Sequence, residues 1–127
     1  MMKRAIIVAI VILFVMAGQA VCDTTGSELL PQCKDVALEK TTSDTYKVTA
    51  FAGFCVGFIN GVWSTSEVYR AVFKGPRLFC LPKGIDDIQL VRVVVRYLEN
   101  HSEQLNYEAS SQVLAALKDA FPCNEKP

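Results

Sequence analysis

The cysteines constrain this chain more than any other feature. Cys33, Cys55, Cys80 and Cys123 are dispersed along it, and a fifth, Cys22, stands near the N-terminus. None forms a C-x-x-C pair, which argues against a zinc knuckle or a thioredoxin-like centre. An even set of dispersed cysteines reads as two structural disulfides, provided the chain leaves the reducing cytoplasm. Each bond then contributes about 2–4 kcal/mol, which is large beside the marginal net stability of a small domain. Three pairings are open, and the spacing does not choose among them.

The N-terminus supplies the proviso. Lys3 and Arg4 precede an unbroken apolar run from Ala5 to Ala17, and the small residues Gly18 and Ala20 follow. A basic start, an apolar stretch and a small-residue exit make a secretory signal peptide. The run is shorter than the roughly 20 residues of a membrane-spanning helix. Cleavage is expected after Ala20, with Cys22 as the alternative boundary, so residues 1–20 form the leader and 23–127 the working domain. Gln19 and Val21 are poor residues before a lipid-modified cysteine, so Cys22 is not read as an anchor. Removing residues 1–22 takes two of 13 basic residues and none of 13 acidic ones, leaving a net charge of −2. Phosphate neutralisation would need the opposite sign, so nucleic acid is not an expected partner.

Helical periodicity recurs four times. From about Ser27 to Lys40, Leu29, Leu30, Cys33, Val36 and Ala37 share one face, with Ser27 as the expected N-cap. From about Thr45 to Phe73 runs a long helix containing Gly53, Gly57 and Gly61 at four-residue spacing. Each glycine costs about 1 kcal/mol against alanine in a helix interior. The expected compensation is a seam where another backbone packs closely, inside the bundle or in a symmetric homodimer. Lys74-Gly75-Pro76-Arg77 breaks the chain. Asp86 with Gln89 forms a capping-box start for a third helix, whose buried face is Ile88, Val91, Val94, Val95 and Leu98. A fourth helix is expected from about Glu103 to Phe121, with Leu105, Ala109, Val113, Ala116 and Ala120 as its stripe and Pro122 as its stop. The expected fold is an all-α, disulfide-stapled compact bundle of about four helices.

Catalytic chemistry is missing from the pattern. His101 is the sole histidine and falls at a turn, where a cap or surface role is the ordinary one. There is no H-E-x-x-H, no phosphate-cradling glycine loop and no G-x-S-x-G. A Cys–His nucleophile needs a free thiolate, and the dispersed thiols are assigned to disulfides. The chain is therefore read as a binding protein with no catalytic residues, no metal and no cofactor.

The cysteine neighbourhoods carry a resemblance. Phe54-Cys55-Val56-Gly57-Phe58-Ile59-Asn60-Gly61-Val62 reads as C-x-G-[YF]-I-x-G-V, and Phe79-Cys80-Leu81-Pro82 as F-C-x-P. Tyr97-Leu98 with His101, then Ala116-Leu117 and Ala120-Phe121-Pro122-Cys123, complete an ordered set. Together they resemble the Rap/Tai family of immunity proteins, which protect Gram-negative bacteria from type VI secretion amidase toxins. The likeness covers Cys33 to Cys123. One departure is Ser102, where the family often has proline after the histidine. The resemblance implies a periplasmic helical protein that binds a secreted peptidoglycan amidase and occludes its cleft. The alternative is a generic periplasmic binding or chaperone-like protein without a dedicated toxin.

The expected contact surface lies at the end of the second helix and the loop after it. Trp63, Tyr69, Arg70 and Arg77 are residue types enriched at binding hot spots, and Cys80 tethers the loop. The bland alternative makes Trp63 and Tyr69 core residues and Arg70 and Arg77 solvated charges.

Overall fold

The computed structural model describes residues 6–7, 23–38 and 50–123, with the side chains of residues 50 and 51 set aside. The proposed leader, the cleavage positions, Cys22 and the segment 39–49 lie outside this description, apart from helical Ile6 and Ile7. The remainder is all-α: α1 is Gly26–Leu38, α2 Ala50–Phe73, α3 Asp87–Asn100 and α4 Ala109–Ala120, with a 3-10 turn at Ser102–Gln104. These form a compact four-helix bundle held by two disulfides. Among the described residues no helix is long and apolar enough to cross a membrane.

One core joins the helices. Leu29, Cys33 and Val36 enter it from α1, Cys55 and Ile59 from α2, Leu90, Val91, Val94, Val95 and Leu98 from α3, and Val113, Ala116 and Leu117 from α4. The buried α3 side chains are mostly β-branched valines. Ile88 and Leu30 pack half-buried at the margin, whereas Ala120, expected on the buried stripe of α4, is exposed. Cys33 pairs with Cys55 at the centre, and Cys80 with Cys123 at the periphery, so α1 is fastened to α2 and the α2–α3 connection to the segment after α4.

The helix ends follow local chemistry with one shift. Asp86 caps α3 as a full capping box: its carboxylate accepts from Gln89 N at 2.7 Å, and the Gln89 side chain accepts from Asp86 N. At α1 the cap falls on Thr25, two residues before the expected Ser27. The Thr25 carbonyl accepts from Leu29 N, and Glu28 Oε2 accepts from Thr25 N at 3.0 Å. Ser27 is drawn into the helix because its N–H donates to Leu105 O. At the other end of α1, Arg92 reaches from α3 to donate to Ala37 O at 3.1 Å, satisfying a terminal carbonyl.

Two expectations are corrected. The fourth helix does not begin at Glu103. Residues 105–108 turn to meet the stretch before α1 instead, with Gly26 N donating to Tyr107 O, Ser27 N to Leu105 O and Ala109 N to Thr24 O. Buried Gln112 locks this turn by donating from Nε2 to the carbonyls of Gln104 and Tyr107, both at 2.9 Å. Nor, among the described residues, do the glycines form a seam within the bundle. Gly53, Gly57 and Gly61 are exposed, and a Cβ on Gly57 or Gly61 would meet nothing within 4 Å. At about 100° per residue, the Ala52, Cys55 and Ile59 stripe turns inward and carries the glycines to the opposite face.

Candidate partner-binding surface

The second half of α2 leaves the core and shows large apolar side chains to water. Val68, Tyr69, Val72 and Phe73 are exposed, Phe73 by 72%. Trp63 is exposed too, at 39%, so it is not the core residue its size would suggest. A contiguous apolar exposure of this kind marks an interaction site more often than a free surface.

The backbone then sets the path of the loop beyond α2. The helix stops at Lys74, which takes φ 54°, a left-handed conformation usually given to glycine at a helix C-terminus. Gly75 comes next, and the Tyr69 ring lies on it so closely that a Cβ there would run into the ring. Tyr69 also tilts against Phe73, ring centroids 5.7 Å apart. Leu78 and buried Phe79 return the chain to the bundle, and Cys80 anchors it twice, through Cys123 and through its N–H donated to Phe121 O at 2.8 Å.

Between this stretch and α4 lies an apolar groove of about 650 Å³. One wall is Phe58, Val62, Thr65 and Tyr69, which recur four, three and four residues apart along α2. Leu78 and Leu114 form part of the other side, and Ser110 and Ser111 close it from α4. Ser66 and Ser111 present little polarity to the groove, because their hydroxyls donate back to Trp63 O and Glu108 O, each at 2.7 Å.

The expected site residues part company here. Tyr69 lines the groove. Arg77 stands between Gly75, under the Tyr69 ring, and Leu78, in the groove wall; it is exposed and makes no hydrogen bond or ion pair among the described residues. Arg70 is turned about 100° from Tyr69 around the helix. Its Nε and Nη2 hold Glu67 Oε2 at 3.3 and 3.2 Å, so its charge is partly answered within the chain. The α4 wall lies outside the expected site residues. The Phe58–Tyr69 recurrence is present in the sequence, but there it reads as part of a packing face.

His101 caps α3, donating from Nδ1 to Tyr97 O at 2.8 Å and stacking on the Tyr97 ring at 4.0 Å. The four described cysteines are oxidised in pairs. No cluster of His, Cys, Asp and Glu among the described residues is placed to hold a metal ion.

The family model of the Rap1a immunity proteins matches residues 25–123, from the cap of α1 to the last disulfide cysteine. No curated protein and no solved structure matches the chain.

Proposed function

Since this chain belongs to the Rap1a immunity protein family, we propose that it is a periplasmic inhibitor that binds a type VI secretion peptidoglycan amidase and occludes its active-site cleft. Family membership makes it a non-enzymatic immunity protein. Two disulfides fit an exported protein, because such bonds persist in oxidising compartments.

The observation that carries the occlusion reading is the exposed apolar end of α2 with its tethered loop. Val72 and Phe73 offer apolar area, Arg77 offers a cation that is unpaired among the described residues, and the Cys80–Cys123 bond holds the loop in place. Plugging a cleft requires shape and preorganisation, since every side chain ordered on binding lowers the net affinity. Tyr69 and Arg77 are the residues proposed to touch the amidase; Arg70 contributes through its pair with Glu67. A homodimer packed through Gly53 and Gly57, which are exposed and lie outside the groove lining, would leave Tyr69 and Arg77 free.

Mixing the oxidised protein with a peptidoglycan amidase found encoded beside its gene is the test. Stoichiometric loss of cell-wall hydrolysis with tight binding is the expected result. Binding without loss of hydrolysis would sink occlusion, and the absence of binding would sink the immunity partnership.

A further inference from the structure

We infer that the groove between α2 and α4 receives a single amphipathic helix of the effector, apolar on the face that enters and acidic where it meets Arg77. The inference rests on the immunity reading above and specifies the chemistry of the partner.

The groove's lining decides what can enter. Phe58, Val62, Leu78 and Leu114 offer only apolar surface, and the hydroxyls of Ser66 and Ser111 are already donated to their own helices. Thr65 and Ser110 add one hydroxyl each, far fewer partners than the backbone N–H and C=O groups an extended peptide would bring, so most of those groups would be buried unsatisfied. A helix brings its backbone bonds already made and presents an apolar stripe at helical spacing. Gly61 deepens the groove where any side chain would fill it, since a Cβ there meets nothing within 4 Å.

Charge sets the rest. Lys74 and Arg77 are both exposed and unpaired among the described residues, while Arg70 is engaged by Glu67. Glu108, one turn before Ser111, is exposed near the opposite wall. An acidic side chain of the partner is therefore favoured on the Arg77 side and repelled from the α4 side. Such complementarity acts mainly on encounter rate and register.

The test compares the full oxidised chain with Ser110→Trp and Arg77→Glu against the amidase encoded beside its gene, by calorimetry at two salt concentrations. Ser110 is exposed on the α4 wall, so tryptophan there blocks the groove without entering the core. Thr65→Trp on the α2 wall repeats the test should that variant fold poorly. Both Ser110→Trp and Arg77→Glu are expected to melt with the wild type and to bind about tenfold more weakly or worse. Arg77→Glu should also flatten the salt dependence. Wild-type affinity in folded variants overturns the groove while leaving immunity intact. A change of solution mass in Ser110→Trp gives the groove to a second copy and overturns it as well. A wild-type protein that binds no amidase removes the immunity reading and the groove with it.

Discussion

Gln112 shows how one side chain can reroute a helix. It is a polar residue in the core, only 3% exposed, and its Nε2 holds two carbonyls of the turn at 104–107 while its Oε1 has no hydrogen-bond partner. Gly26 faces it, and a Cβ there would lie 2.5 Å from Nε2 and 2.8 Å from Oε1. The amide cannot swing away without giving up both bonds. Gly26→Ala is therefore expected to destabilise the fold by about 1–3 kcal/mol by overpacking. Gln112→Ala should cost a similar amount, about 1–3 kcal/mol, from lost bonds and a small cavity; each carbonyl keeps a backbone donor, which limits the loss. The double variant should be cheaper than the sum, because the clash vanishes with the amide. Urea denaturation of the four proteins measures the coupling, and strict additivity would mean that the two residues do not meet in this way. None of this is legible in the sequence, where a glutamine between Ser111 and Val113 reads as the polar face of a continuous helix. The glycine stripe is half legible: four-residue spacing fixes a common face but not whether that face turns inward. The cysteines declare two bonds but not their partners, since pairing is set by the packing of α1 on α2 and of the loop on the end of α4.

Elements declare themselves through period and punctuation, so α1, α2 and α3 are readable from the sequence alone. The Asp86–Gln89 box places the start of α3 to the residue, because both halves of that contact are local in sequence. The start of α4 escapes such a reading because the competing bonds come from residues 24–27, far away along the chain. The end of α2 carries a cost that the Lys74-Gly75 order makes visible. Lys74, not Gly75, adopts the left-handed conformation. Lys74→Gly is expected to stabilise the protein by about 0.5–1 kcal/mol, the strain relieved at that position being partly offset by the greater freedom of glycine in the unfolded chain. Thermal denaturation checks it, and a lower melting temperature would mean that the lysine side chain contributes more than its backbone costs. Gly75→Ala should act on the site instead. It displaces the Tyr69 ring from its seat and is expected to weaken effector binding by about 1–2 kcal/mol, with a smaller change in stability. The aromatic and basic residues at this helix end mark the surface in the sequence. The groove beside it stays hidden there because half of it belongs to α4.

Across the whole molecule, the two disulfides divide the labour between folding and binding. Cys33–Cys55 is fully buried in the common core and joins α1 to α2, the two helices that the undescribed segment 39–49 connects. Cys80–Cys123 lies half-buried at the edge and closes a loop of 43 residues around α3 and α4. Replacing either pair by alanine removes a constraint on the unfolded chain, for a loss of about 2–4 kcal/mol. The central pair should lose more than the peripheral one, because two alanines leave a cavity among Leu29, Ile59 and their neighbours. Binding should follow the opposite order. The peripheral bond holds Leu78 in the groove wall and Arg77 beside it, so its removal frees the loop and adds an ordering cost of about 0.5–1.5 kcal/mol for each side chain that must be fixed again. Cys80→Ala/Cys123→Ala, assayed well below its melting temperature, is expected to fold and to bind the amidase several-fold to tenfold more weakly, chiefly through faster dissociation. Cys33→Ala/Cys55→Ala, at a temperature where it is still folded, should bind nearly as the wild type does. Calorimetric titration of both variants beside their thermal melts separates the two effects. Equal affinity losses in both would show that the bonds act only through global stability, and the loop would then have no special part in recognition.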